Sequence, residues 1–496
     1  MGLDIERSEF TAADYRRFRQ QLNGNLAALK QLLRQPGFGL GAASIGAELE
    51  LYLVDQHARP LMINQRLHEQ LQNPQLALEL NRYNLEYNLS PVPAVGRPFS
   101  ALESEMLTAI RQLDGAAQAF DGQVIPIGIL PTLKRRHFGP AAMTDVPRFH
   151  ALTQALARMR GELFTIRING PEPISLRSRD VTLEGANTSM QLHYRVTPQR
   201  FADLYNAMQM ATPIVLAISG NSPFMLGQRL WHETRIPLIK HAIDGRTRDI
   251  RESHLPSRVS FGHGWVRQGA YELFAEAVHL HQPLLPICNG EDALTTLHDG
   301  ELPSLYELRL HQGTVWPWNR PVFDDANGGH LRIEMRALPA GPTPADMMAN
   351  AAFLIGLAEG LSSDIEMRIP AMPFVAVEQN FYRAAEKGIS AHLYWPDPEG
   401  DNPLRTVPAC ELAQAMLPLA EEGLVRIGVN AEEIDHYLAI IRQRIERRNT
   451  GACWQLRTFK RLLGTEARHR ALTLMTKAYI AHARTNQPVA QWQESR

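Results

Sequence analysis

Four separated stretches of the chain place an apolar residue at every second position. They are Ala47-Glu48-Leu49-Glu50-Leu51, Asn84-Leu85-Glu86-Tyr87-Asn88-Leu89, Ser189-Met190-Gln191-Leu192-His193-Tyr194-Arg195-Val196 and Leu331-Arg332-Ile333-Glu334-Met335-Arg336. Successive side chains of a strand leave opposite faces of a sheet, so strict alternation predicts four strands with one buried and one polar face each. A face that only meets solvent would carry several Lys, Thr and Ser. These polar rows hold no Lys or Thr and a single Ser; they are filled by Glu, Asn, Gln, one His and Arg.

A different period governs other segments. Leu22, Leu26, Leu29 and Leu33 recur at helical spacing and predict an amphipathic helix over 12–34, ending near Pro36-Gly37. Ser100-Ala101-Leu102-Glu103 has the form of a capping box and opens a helix bearing Leu102, Met106, Ile110 and Leu113. Val124 to Leu130 reads as a short buried strand, and Asp55 to Pro60 as a turn leaving the first strand. Thr197-Pro198 and Thr343-Pro344 each place an N-cap residue before proline, predicting helices to about Ala217 and Leu361 after the third and fourth strands. Asp324 to Gly329 is a turn running into His330, and from about Asn402 the chain is mostly helical, with Asn430 as a cap. The division expected is an N-terminal helical segment 1–39, a main domain 40–400 and a helical extension 401–496.

Composition narrows the class. With 496 residues, 44% of them hydrophobic, the chain can bury a large core, and 51 Lys and Arg against 52 Asp and Glu leave no bulk field to gather nucleic acid or anionic lipid. No basic segment leads into an apolar one at the start, and no run of about 18 uncharged apolar residues appears. A membrane partner is therefore not expected. Cys288, Cys410 and Cys453 are too few and too scattered for a disulfide framework or a zinc cluster, which fits a reducing cytoplasm.

The polar rows carry the candidate chemistry. Glu48 and Glu50 are two apart, so both carboxylates leave one face roughly 6.5–7 Å from each other. With Glu86, His193 and Glu334 they offer a mostly oxygen ligand set, suited to Mg²⁺ or Mn²⁺ rather than zinc. Arg195, Arg332 and Arg336 would offset the clustered charge and grip phosphate or carboxylate through two hydrogen bonds each. A single Glu on an alternating strand is more often solvated than a ligand, and one His is more often structural; the coincidence across four strands favours a site. Metals and arginines on a sheet face are also the parts of phosphoryl transfer. Glu233-Thr234-Arg235 supplies either a substrate-gripping arginine or a surface ion pair. The aromatics of Thr314 to Arg320 are those of a loop packed on the core, and Gly185-Ala186-Asn187-Thr188 is only weakly like a phosphate loop. The same array of acids would also serve a metal-dependent hydrolase, a guanidino-kinase-like phosphotransferase or an inactive binding protein.

Taken together, these motifs resemble the type-2 glutamate-cysteine ligases, or carboxylate-amine ligases, whose catalytic domain is similar to that of glutamine synthetase. The resemblance rests on Gly46-Ala47-Glu48-Leu49-Glu50, on Gln191-Leu192-His193, on Ala217-Ile218-Ser219-Gly220-Asn221-Ser222-Pro223-Phe224, and on Arg332-Ile333-Glu334-Met335-Arg336 with Pro342 to Asp346. It spans roughly residues 40–395. It implies an α+β fold with a curved, mainly antiparallel sheet flanked by helices. It also implies an ATP-dependent ligase that phosphorylates a carboxylate, typically the γ-carboxylate of glutamate, for attack by an amine, with cysteine the default acceptor. By the same resemblance Glu48, Glu50, Glu86, His193 and Glu334 would hold Mg²⁺ or Mn²⁺. Arg336 would stabilise the transferring phosphoryl group, Arg235 would hold substrate or phosphate, and Arg332, Gln191 and Arg320 would contact the nucleotide. The partners expected are a glutamate-like carboxylate and an amine, with no nucleic acid, and self-association into a homo-oligomer is left open.

Overall fold

A computed structural model describes residues 7, 9–252, 254–397 and 403–493, except the side chains of 248 and 252. The expected boundary at 400/401 lies outside the described residues. The four alternating segments all join one eight-stranded sheet. Its strands are β1 (Ser44–Asp55), β2 (Leu76–Leu78), β3 (Asn84–Asn88), β4 (Val92–Pro93), β5 (Gly122–Ile125), β6 (Met190–Val196), β7 (Asn319–Asp324) and β8 (His330–Met335). The order is β7-β8-β6-β1-β3-β2, with β4 and β5 paired to the two ends of β1, and every pairing is antiparallel. The architecture is α+β, a curled antiparallel sheet flanked by helices.

Register decides which rows meet. Glu50 lies opposite Glu86 and Glu48 opposite Asn88 across β1 and β3; Glu48 lies opposite Gln191 and Gly46 opposite His193 across β1 and β6. Glu334 faces His193 on β6 and Arg320 on β7. Residues directly opposite in a ladder share a face, so all four polar rows line one surface. The other face carries Leu49, Leu51, Leu85, Leu192, Tyr194, Leu331 and Ile333, all buried.

Behind that apolar face lie helices. In chain order the main ones are α1 (Ala12–Leu32), α2 (Pro98–Ala117), α3 (Phe201–Ser219), α4 (Pro344–Ser362), α5 (Ala409–Arg426), α6 (Ala431–Arg447), α7 (Gly451–Leu462) and α8 (Arg468–Ala483). Helix α4 is buried from Pro344 through Leu361, as a helix apolar on every side must be. Tyr194 of β6 donates to Glu359 of α4 at 2.7 Å, and Arg200 Nη2 donates to the same carboxylate at 2.7 Å. Among the described residues no helix is long and apolar enough to cross a membrane.

Several local expectations change. Ser100 does not cap α2, which starts at Pro98; the Glu433 carboxylate of α6 takes the Phe99 and Ser100 amides instead, at 2.6 and 3.2 Å. A distant carboxylate thus replaces the local capping box, and Ser100 turns its hydroxyl to Glu433 as well. Thr197 and Asn430 occupy cap positions without a side-chain cap, and the turn after Thr197 is 3₁₀ before α3 begins. Thr343 does cap α4, accepting from Asp346 N at 3.0 Å. The expected strand Val124 to Leu130 is regular only to Ile125. Gly185 sits in a 3₁₀ turn where a Cβ would lie 2.5 Å from the Asn81 side chain, so it serves close packing.

The C-terminal helices pack into the same core. Arg444 of α6 is buried, and its Nη2 donates to Asp346 Oδ1 at 2.7 Å; Tyr479 of α8 donates to Pro126 O at 3.0 Å and Asn221 Nδ2 donates to Tyr479 at 2.7 Å. Helices α4 and α5 touch backbone to backbone: a Cβ at Gly423 would fall 2.0 Å from Gly356 O. Gly423→Val is therefore expected to cost about 2–4 kcal/mol or more in urea unfolding, because neither helix backbone can yield locally. Unchanged stability in that variant would mean the crossing is looser than described.

Candidate active site

The polar face holds two trios of potential ligands, side by side on β1. Glu48, His193 and Glu334 each bring one ligand atom to within 4.8 Å of the others, and Glu50, Glu79 and Glu86 do the same. An octahedral Mg²⁺ with ligands at about 2.1 Å spans opposite donors by about 4.2 Å, so either trio is of the right size for one divalent ion. The Glu50, Glu79 and Glu86 trio is all oxygen, the donor set Mg²⁺ prefers; the imidazole in the other also suits Mn²⁺. His193 Nε2 lies 3.0 Å from Glu48 Oε1, while His193 Nδ1 is buried without a hydrogen-bond partner among the described residues.

Glu79 is a residue the alternation reading missed. It follows β2, where Ala77 pairs with Glu86, so Glu79 falls on the same face two positions on. Its signal was the single flanked step Leu78-Glu79-Leu80, too short to count as a period. Glu184, in the 3₁₀ turn Glu184–Ala186, is a second acid close enough to feel Glu50, and no sequence period marks it.

Charge compensation divides the face. Glu334 is fully buried and clamped by Arg320, whose Nε donates at 2.5 Å, and by Arg336. Burial raises its pKa, but the two guanidinium groups and His193 outweigh that and bring it to about 2. Glu48 is likewise driven well below its usual value, burial being overcome chiefly by His193. The second trio has less relief. Burial, then the charge of Glu48, pushes Glu86 up to about 7. Burial, then Glu86 and Glu50, pushes Glu79 well above the carboxylate range, and burial pushes Glu184 to about 7. Glu50 rises through burial despite Arg336 and the hydrogen bonds donated by Ser189 N at 2.6 Å and Gln191 Nε2 at 2.9 Å. The raised carboxylates of Glu50, Glu79 and Glu86 are what a bound cation would compensate.

The arginines take distinct places. Arg336 donates to both the Gln191 side-chain Oε1 and Glu334, and its charge acts on both Glu48 and Glu50. Arg235 is no surface ion pair: only 2% exposed, it donates to Glu233 at 2.7 Å and to Ala337 O at 2.6 Å, and its charge reaches Glu50. Arg332 pairs with Asp324 at 2.8 Å, and Arg195 donates to Leu40 O at 3.1 Å. A cleft of about 510 Å³ opens over this end of the sheet, lined by Glu48, His193, Arg195, Arg320 and Arg332 together with Arg309, which the alternation did not show. Its size and charge suit an anionic ligand of nucleotide size.

The sequence profile of glutamate-cysteine ligase family 2 (GCS2) matches residues 44–471. The chain belongs to this family. It is therefore an ATP-dependent carbon–nitrogen ligase of the carboxylate–amine class. No curated protein matches the GCS2 chain significantly by sequence. Among solved structures it is similar to a glutamate–cysteine ligase from Francisella tularensis in complex with AMP, at 11% identity over 92% of this chain and 96% of that one, with a TM-score of 0.48. It is also similar to a bifunctional glutathione synthetase from Pasteurella multocida, at 12% identity over 93% of this chain and a TM-score of 0.47; it spans 55% of that longer chain. A third likeness is to the ligase PafA in complex with the prokaryotic ubiquitin-like protein Pup, at 10% identity, 86% and 70% coverage and a TM-score of 0.38.

The raised acids of this GCS2 face have a measurable consequence. Between the ordinary Glu value of 4.5 and about 7, the folded protein holds protons on Glu86 and Glu184 that the unfolded chain has released. Folding stability without metal should therefore fall as pH rises through that window. Added MgCl₂ should raise the melting temperature more at about pH 8 than at about pH 5, since the cation competes with those protons. A melting temperature insensitive to Mg²⁺ at both pH values would count against cation binding by these acids.

Proposed function

We propose that this ligase forms a γ-glutamyl amide: ATP phosphorylates the γ-carboxylate of glutamate, and the amine of cysteine attacks the acyl phosphate, releasing phosphate. The observation that carries this reading is the pair of acidic trios on neighbouring positions of one sheet face, with Arg336 reaching across both. A single ion site would serve many hydrolases. Two adjoining sites beside a fixed guanidinium suit a reaction in which phosphate moves from one bound group to another.

In this reading Glu48, His193 and Glu334 hold one divalent cation, and Glu50, Glu86 and Glu79 hold a second. When bound, Mg²⁺ or Mn²⁺ neutralises phosphate oxygens and orients the transferring group. Glu334 stays ionised because Arg320 and Arg336 hold it so, which keeps it available as a ligand at any working pH. Arg336, anchored by Glu334 and the Gln191 side chain, presents a fixed donor to the charge that develops on the phosphoryl oxygens. Buried Arg235 and Gln191 position Glu50 through charge and a hydrogen bond. Arg332 and Arg320, with Arg195 and Arg309, line the cleft assigned to the nucleotide. Cysteine as acceptor follows the family's description; an alternative amine would use the same activation chemistry.

The deciding experiment measures ADP release with glutamate and a panel of amino acids and amines, with product mass as the readout. A γ-glutamylcysteine product is expected; a product with another amine would replace cysteine, and no ADP with any pair would sink the reading. Glu334→Ala should abolish Mg²⁺-dependent ADP formation, a loss of about 10³-fold or more, in a chain that still folds. Arg336→Lys should reduce turnover by about 10²-fold, because a point charge cannot reproduce a planar fork. Full activity in the lysine variant would make Arg336 purely structural.

A further inference from the structure

A second charged cleft lies away from the acidic face, beyond the turn that ends β1. It has a volume of about 590 Å³, and its lining includes His57, Arg59, Lys134, Arg468, His469 and Arg470 but no carboxylate. An adjoining recess of about 490 Å³ shares Lys134 and adds Arg135, again with no acid in its lining. In a chain whose cations and acids are balanced, 51 against 52, the cations are gathered in the lining while their pairing acids stand behind it. Three of the guanidinium groups are fixed from outside the cleft. Asp55 holds Arg59 at 2.7 Å, Glu172 takes two donors from Arg468, and Glu466 holds Arg470 at 2.9 Å. Lys134 and Arg135 make no ion pair among the described residues and are exposed. The field is strong enough to be felt nearby: His137 is pushed down to about 4, by burial first and then by Arg136, Lys134 and Arg59.

The rest of the lining mixes apolar residues with Thr132, Gln228 and Thr473. Pro131, Leu133, Leu226 and Leu472 form part of the wall between the cations. Helix α8 begins here at Arg468 with no side-chain cap, so its amide end adds to the positive potential. Dispersed surface cations would serve solubility alone; a concave cluster of cations with apolar residues between them and their pairing acids outside the lining has the make-up of a ligand site.

We propose that this cleft binds a phosphorylated metabolite of about mononucleotide size, its phosphate held by Lys134, Arg59, Arg468 and Arg470 and its body against Pro131, Leu226 and Leu472. The site is separate from the acidic face and independent of the reading of that face. Its walls nevertheless connect to it. The turn at Arg59 continues β1, which carries Glu48 and Glu50. The Pro131 to Lys134 loop follows Gly128, where a Cβ would lie 3.3 Å from Arg235 Cδ; Tyr479 of α8 holds Pro126 O at 3.0 Å. Occupancy is thus positioned to act on the ligase as a regulatory signal.

The test titrates the full chain calorimetrically with pyrophosphate in metal-free buffer, so that no divalent ion recruits the anion to the acidic face, and the cleft variants below report which site it occupies. A Kd below about 1 mM that weakens as salt rises is expected. The exposed double variant Lys134→Glu/Arg470→Glu, shown folded by an unchanged melting temperature, should bind at least about tenfold more weakly. Lys134→Ala with Arg135→Ala provides a neutral pair with the same expected direction should the charge reversal unfold the protein. Binding should persist in Arg336→Lys. No heat up to about 10 mM pyrophosphate, undiminished binding in the cleft variants, or loss in Arg336→Lys would each overturn the proposal. Citrate binding as tightly as pyrophosphate would overturn its preference for phosphate.

Discussion

Burying several carboxylates on one face of a sheet is costly, and the arrangement of this protein follows from how that cost is met. Glu48, Glu50, Glu86 and Glu334 are brought together by antiparallel register, which leaves no freedom to spread them apart. On the β8 side, Arg320 and Arg336 offset the charge, and Glu334 remains an ionised, fully buried acid. On the β3 side no guanidinium among the described residues does the same for Glu79 and Glu86, so burial and mutual repulsion hold their protons on. One half of the face thus has its charge offset by arginines, and in the other burial and mutual repulsion leave the charge to be offset by protons or a cation. That asymmetry is what supports the proposed reading of the face as a site rather than a structural ion-pair network.

The scaffold holds this tension from behind. Tyr194 alternates with His193 and Arg195 on β6, so the residue that anchors the strand to Glu359 of α4 is chemically tied to the ones that face the cleft. Helix α4 in turn lies against α5 through paired glycines, and α6 reaches both α4, by Arg444, and the start of α2, by Glu433. The C-terminal helices are therefore part of what keeps β1 and β8 in register. Asn221, in the Asn-Ser-Pro-Phe stretch, accepts from Gln455 of α7 and donates to Tyr479 of α8, joining the same network. Polar groups so buried have to be satisfied together, which resists local rearrangement.

Two charged regions of opposite sign then divide the molecule's chemistry. In the proposed function the acidic face activates a carboxylate with a nucleotide and divalent ions. The cationic cleft beyond β1 has no acid to bring to such a reaction and suits recognition of an anion. Both lie along the same strand, and hydrogen bonds tie the elements between them: Thr188 Oγ1 donates to Gly128 O at 3.3 Å, and its amide donates to the same oxygen at 3.0 Å.

How much of this was legible beforehand depends on the range over which each feature is encoded. Alternation is local and repeats every two residues, so the four strands, their polar rows and the acids Glu48, Glu50, Glu86 and Glu334 could be read directly, and order and spacing of the motifs carried the family. Glu79 and Glu184 escaped because one sits beyond a three-residue strand and the other in a turn, where no period exists to mark a face. The Ser100 cap was misread because Glu433, absent from any local window, takes the Phe99 and Ser100 amides. Arg235 could not be assigned, since a guanidinium's partners are set by packing and not by its neighbours in the chain. By itself, then, the sequence determined which residues alternate and hence which can share a sheet face. Only the tertiary structure decided which acids are relieved by arginine and which are not, because charge compensation depends on distances between strands far apart in the chain.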